Sequence, residues 1–233
     1  RDLDSSLVGS EMCIRDRILT GTLIVLLIND RYGPGMLKKF LRGKYFHPQT
    51  EDRIFMFLDL KGSTTIAEKL GEKRYFQFIR KILRDVTPII LKTKGEVYQY
   101  VGDEIVISWS IEEGRKDLNC IHCFTEIQQL LRDLGSEYQE DFGLQPLFKA
   151  GIHAGTVVVG EIGVIKRDIA YSGDVLNTAA RIQSKCNELG VFILFSGGLL
   201  EYLPKNSFSA KSMGQVSLRG KKDPVSLYSL NGL

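Results

Sequence analysis

Arg53–Thr64 reads RIFMFLDLKGST, and the reading of this stretch decides the fold. A brief, almost wholly apolar run that stops at a Lys-Gly-Ser-Thr turn has the length of a strand. Apolar residues at consecutive positions mean burial on both faces of a sheet. Just downstream, Thr65-x-x-Glu68 has the spacing of a capping box and predicts a helix start. A longer amphipathic helix is expected over Lys73–Lys92, with Phe76, Ile79, Leu83, Val86 and Ile90 on one side. Glu96–Val101 and Ile105–Trp109 are β-rich runs joined through Gly102-Asp103, a tight hairpin signal.

Further along, Asp117–Leu134 carries Ile, Leu and Phe at helical spacing. Phe148–His153 and Thr156–Gly160 flank Ala154-Gly155 and predict a second hairpin. Asp174–Leu189 reads as a helix ended by Gly190, and Val191–Phe195 as another buried strand. This order of strand, helix, two strands, helix and strand predicts an α+β, ferredoxin-like βαββαβ sandwich with C-terminal additions.

Upstream the chain changes character. Residues 1–17, RDLDSSLVGSEMCIRDR, have no clear period and resemble a translated sequencing-adapter fragment, so they are expected to be a non-native artefact. Residues 18–28 form an uncharged apolar run, shorter than the ~20 residues that cross a bilayer. They are read as the end of a truncated transmembrane helix. Residues 29–50 are read as a juxtamembrane linker, because Arg31, Lys38, Lys39, Arg42 and Lys44 follow the apolar run as a cytoplasmic flank requires. Gly33-Pro34-Gly35, followed by Met36, Leu37, Phe40 and Leu41, predicts a turn and a short amphipathic helix. Residues 51–233 are read as the main domain, placed in the cytoplasm.

Composition excludes some function classes. The net charge is +3, and no run of Lys and Arg interleaved with aromatics occurs in the body, so a nucleic-acid partner has no support. Four cysteines, Cys13, Cys120, Cys123 and Cys186, are too few and scattered to staple 233 residues, which points to reduced thiols. Cys120-x-x-Cys123 lies on a predicted helix with no second ligand pair, so it reads as two core thiols rather than a zinc site.

Chemistry shows itself where charge interrupts burial. Asp59 closes a strand otherwise spent on apolar contacts, a position that is costly unless the carboxylate is paired or solvated. Asp103 sits at the hairpin tip. If the two strands are neighbours, both carboxylates point at one end of the sheet, and a divalent cation would relieve their repulsion. Gly62-Ser63-Thr64 directly follows and precedes a helix, whose first N–H groups can hold phosphate oxygens. Asn177 and Arg181 lie four apart on a helix, hence on one face, with the small residues Gly173, Ala179 and Ala180 leaving room for a ligand or a second subunit.

These blocks together carry a family resemblance. FMFLDLKGSTTIAEKLG, YQYVGDEIVISW, KAGIHAGTVVVGEIG, SGDVLNTAARIQ and LRGKKDPVSLYSL resemble, in order, the successive blocks of class III adenylate/guanylate cyclases. The resemblance implies two Mg²⁺ or Mn²⁺ ions per site, held by Asp59, Asp103 and the backbone carbonyl of Leu60. It implies transition-state roles for Asn177 and Arg181, phosphate binding by Gly62, Ser63, Thr64 and Arg219, and a head-to-tail homodimer that builds each site from two chains. The residues that choose the purine depart from the pattern. Adenylyl cyclases carry Lys and Asp or Thr, guanylyl cyclases Glu and Cys, whereas this chain has Gln99 and Ala170, with Asp168 nearby. The missing Glu favours ATP over GTP. A degenerate nucleotide-binding or dimerising module is the alternative. A diguanylate cyclase, suggested by Gly102-Asp103-Glu104, ranks lower because it leaves Asn177 and Arg181 unexplained.

Overall fold

Strand β1 (Gln49–Leu60) lies at the centre of the sheet, as its apolar sequence requires. In this computed structural model, residues 15–27, 47–165, 168–204, 208–221 and 223–230 are described. After β1 come α1 (Ser63–Leu70), α2 (Glu72–Lys92), β2 (Glu96–Val101), β3 (Glu104–Ser110), α3 (Ile111–Arg115), α4 (Asn119–Asp133) and α5 (Gly135–Phe142). Then follow β4 (Phe148–Ile162), β5 (Asp168–Ser172), α6 (Asp174–Ser184), β6 (Ile193–Ser196), α7 (Gly197–Leu200), β7 (Ala210–Val216) and β8 (Val225–Leu230).

The sheet order is β2-β3-β1-β4-β6-β8-β7, with β5 pairing β4 off this path. Its first four strands have the ferredoxin-like arrangement expected from sequence. β1 and β3 run antiparallel with Leu58 opposite Ile105, whereas β6 joins β4 in parallel, Ile152 opposite Phe195. Alternate residues of β1 enter different cores. Ile54, Met56, Leu58 and Leu60 pack with α2 and α4, while Phe55 and Phe57 pack with Val106, Val157, Val175 and Ala179. Burying a phenylalanine such as Phe55 stabilises by about 1.5–3 kcal/mol. Trp109 of β3 is fully buried, and its indole N–H donates to the Thr93 carbonyl at 2.9 Å.

Several local expectations are corrected. α1 starts at Ser63, and no side chain caps it, so Thr65 and Glu68 lie inside the helix instead of forming a capping box. Gly62, at φ 73°, turns strand directly into helix, a conformation glycine adopts at little cost. On α2 the buried stripe is Phe78, Ile82, Val86 and Ile90, with Phe76 exposed, because the four-residue spacing of that stripe leaves position 76 off it. Residues 117–118 fall in a 3₁₀ turn, and α4 begins at Asn119. The second hairpin is absent: β4 is one strand through Ala154-Gly155. Smallness serves packing there, since a Cβ on Gly155 would meet Val175 Cγ2 at 2.9 Å. α6 stops at Ser184, and the chain reaches Gly190 in turns.

The chain divides into two compact units, Thr50–Val158 with Tyr171–Leu233, and Arg1–Gln49 with Val159–Ala170. The larger unit holds the core. In the smaller, residues 15–27 are helical and exposed, and Val164 and Ile165 project fully at the turn after β4. Among the described residues no helix is long and apolar enough to cross a membrane. Residues 1–14 and 28–46, which include most of the expected artefact and nearly all of the linker, lie outside the described residues. Cys120, Cys123 and Cys186 are free and buried, and burial pushes their thiols up to about 12, so the CxxC belongs to the core.

Candidate active site

Two strand ends build the acidic half of the site. The β1–β3 register ends with Leu58 opposite Ile105, so one step further sets Asp59 across from Glu104, with Asp103 next in the turn. Gly102 makes that turn with φ 64°. The charges sense one another. Burial raises the Asp59 carboxyl above its ordinary value and Asp103 adds to the rise, against the opposing pull of Lys149 and Gln183. Glu104 is pushed up to about 7, first by burial and then by Asp59 and Asp103. The Tyr75 hydroxyl is raised by burial and by the same two aspartates, while bonding the Ser63 side chain.

Among the described residues, hydrogen bonding treats the two aspartates differently. Asp59 Oδ2 accepts from Gln183 Nε2 at 2.9 Å and lies 3.3 Å from Lys149 Nζ. Among the described residues, no donor is recorded on Asp59 Oδ1. Asp103 Oδ2 is shielded from solvent and accepts no hydrogen bond. A buried carboxylate oxygen without a donor is expensive, and a cation is the partner that best offsets it. The donor set suits Mg²⁺ or Mn²⁺. Such ions are held by one or two carboxylates with substrate phosphates completing the shell, and among the described residues no three His, Cys, Asp or Glu form a closed cage. Leu60 buries its side chain in the core, leaving only its backbone carbonyl for a ligand role.

The phosphate-side residues sit around α1 and α6. Gly62, Ser63 and Thr64 open α1, whose first amides take no side-chain cap. Asn177 is exposed on α6, and Arg181 is half-buried one turn on. The Arg181 guanidinium lies against Gly220, where a Cβ would stand 3.3 Å from Nη2, so α6 meets the loop that carries exposed Arg219. Lys221 of that loop pairs with Asp174, holding the Asp174 carboxyl below its usual range. Beneath, His153 Nδ1 is 2.6 Å from Ser196 Oγ. Burial lowers the imidazole pKa to about 4, Lys221 lowering it further and Asp174 opposing.

The structure brings Asp59 together with Asp103, and Arg181 together with the Arg219 loop. It does not turn Asn177 and Arg181 toward the carboxylates of the same chain. Gln183, which does reach Asp59, lies two residues past Arg181 and so about 200° around the helix from it. Gln99 is exposed on β2 beside a bulge, while Ala170 falls in the smaller unit.

Lys149 and Gln183 were missed from sequence. Each carried a signal: Lys149 is a charge in the apolar run FKAGIHAG, and Gln183 continues the buried Val175–Ala179 stripe at the next four-residue step.

The chain is similar to several known proteins. The family described as "Adenylate and Guanylate cyclase catalytic domain" matches residues 46–232. "Adenylate cyclase 2" of Rhizobium meliloti (strain 1021) is 34% identical over 209 residues, covering 89% of this chain and 58% of the relative. "Adenylate cyclase" of Anabaena cylindrica is 28% identical over 188 residues, covering 78% and 37%. The chain thus spans less than two-thirds of the length of these curated relatives. A solved bacterial light-regulated adenylyl cyclase has the same fold at TM-score 0.78 and 22% identity, over 94% of this chain and 64% of that one.

Proposed function

Because the chain belongs to the adenylate and guanylate cyclase catalytic-domain family, we propose that it converts ATP, in preference to GTP, to the 3′,5′-cyclic nucleotide and pyrophosphate at a site shared by two copies. The observation that carries this reading is the buried, donor-free Oδ2 of Asp103 beside Asp59. Two divalent cations bound there would supply a lowered pKa at the ribose 3′-hydroxyl and neutralise the triphosphate. Asp59, Asp103 and the Leu60 carbonyl hold them. The free amides of Gly62, Ser63 and Thr64 receive phosphate oxygens at the start of α1, and Lys149 and Arg219 add positive charge. Arg181 meets the charge that gathers on the α-phosphate, and Asn177 orients the ribose.

Asn177 and Arg181 come from a second copy, since α6 presents them on a different side from the one that reaches its own Asp59. By family position, Gln99 and Ala170 are the residues that read the purine. ATP preference is supported by the names of the two relatives above and by the absence of Glu at position 99.

Turnover of ATP and of GTP with Mn²⁺ tests the reading, with the product resolved chromatographically. Cyclic AMP should form faster than cyclic GMP, and Asp59→Asn should abolish both. No cyclic product from either nucleotide would favour the second reading, a silent nucleotide-binding module, to which the unusual Gln99 and Ala170 point. The apolar run at 18–28 and its basic flank also support tethering of the chain at the cytoplasmic face of a membrane, although no described helix is long enough to cross one, and flotation of the chain with lipid vesicles would check it.

A further inference from the structure

We infer that Gln183 is a positioning residue that fixes the Asp59 carboxylate for its metal ion and ties the metal pocket to the helix bearing Asn177 and Arg181. The inference rests on the two-copy cyclase reading given above. Its geometry is local. Gln183 is 7% exposed, and its amide donates to Asp59 Oδ2 at 2.9 Å, while the Lys149 ammonium approaches the same oxygen at 3.3 Å. Two donors on one oxygen set the rotation of the carboxylate and leave Oδ1, which accepts from none of the described residues, for the ligand role. Hydrogen bonds behind a metal ligand of this kind change metal affinity about 10–100-fold when removed.

Lys149 alone does not do the same work. An ammonium on a four-carbon stem is a mobile point charge, whereas the Gln183 amide is planar and its base is locked. A Cβ on Gly151 of β4 would lie 2.2 Å from the Gln183 backbone N and 2.5 Å from the Ala179 carbonyl, so α6 rests on the strand backbone at this turn. The donor therefore moves only if α6 moves. Asn177 and Arg181 ride on that same helix, which fixes where each chain's metal half lies relative to the half it lends its partner.

The test uses full chains and two measurements. Mn²⁺ binding without nucleotide, followed by electron paramagnetic resonance, should weaken about tenfold in Gln183→Leu. It should weaken to a similar degree in Gln183→Met, which keeps the length of the side chain and removes the donor, and vanish in Asp59→Asn. An unchanged Mn²⁺ affinity in both Gln183 variants overturns the inference. If Asp59→Asn also leaves binding unchanged, the metal reading itself falls and takes this one with it.

The second measurement mixes Asp59→Ala chains with Arg181→Ala chains, so that the only complete site takes Asp59 from one chain and Arg181 from the other. Gln183→Leu placed in the chain supplying Asp59 should raise the Mn²⁺ concentration for half-maximal activity about tenfold. Placed in the chain supplying Arg181, it should not move that concentration. Equal shifts from both placements would mean general damage to α6 and would overturn the inference. Failure of the mixture to recover activity before Gln183 is touched would instead count against the shared site, and the inference falls with it.

Discussion

Replacing Asp103 by Asn keeps the side chain's shape and removes the charge a cation would meet. Cyclase activity should fall more than about 100-fold. The metal-free protein should gain stability, because the repulsion that helps raise Asp59 and Glu104 is relieved. A gain of up to about 1 kcal/mol would raise Tm by about 2–4 °C, readable by calorimetry in chelator. His153 gives a prediction of opposite chemistry. Its folded pKa of about 4 lies below the ordinary 6.5, so the folded state binds fewer protons between these values. The neutral imidazole's contribution is complete above pH 6.5 and is lost as pH falls through 4. His153→Asn should flatten the acid limb of the stability curve in that window, by up to about 3 kcal/mol, seen in urea melts at stepped pH.

The legibility of single residues followed from contrast. Asp59 stood out as a charge ending an apolar run. Gln183 showed only a place on the buried stripe of its helix, which marks it as covered but gives no sign of a partner 124 positions away. The purine-reading positions are assigned by family likeness alone, and Gln99 and Ala170 fit neither usual pair.

Among the elements, β4 taught the most. Ala154-Gly155 looked like a turn, yet the strand runs straight through, because a missing side chain can equally mean that something else comes close. Gly151 is the extreme case. Gly151→Ala should destabilise by about 1–3 kcal/mol or more, since the atoms in the way are helix backbone and cannot rotate aside. Equilibrium unfolding in urea would measure it, with Gly143→Ala, a left-handed open position, as a contrasting backbone effect. β1 and α4 were read correctly because burial on both faces and helical periodicity leave strong patterns. The buried thiols follow. Cys120, Cys123 and Cys186 should stay unlabelled by a disulfide reagent in native buffer and react on denaturation.

At the scale of the whole molecule, the proposed site takes Asp59 and Asp103 from one chain and Asn177 and Arg181 from another. Asp59→Ala and Arg181→Ala chains should each be inactive alone. Mixed in equal amounts, they should recover about a quarter of wild-type activity, because half the pairs are mixed and each has one intact site. The fold was legible from element order, whereas the pairing of chains is proposed from family likeness, since no single-chain pattern records which face meets a copy.

Trp109 is the only tryptophan of the 233 residues, and it is sealed in the core with its indole N–H engaged. Intrinsic emission is thereby a clean optical gauge for this protein: blue-shifted while β3 stays packed, red-shifting only on global melting. Nucleotide titrations can be followed with a dye placed elsewhere, without interference from the native chromophore.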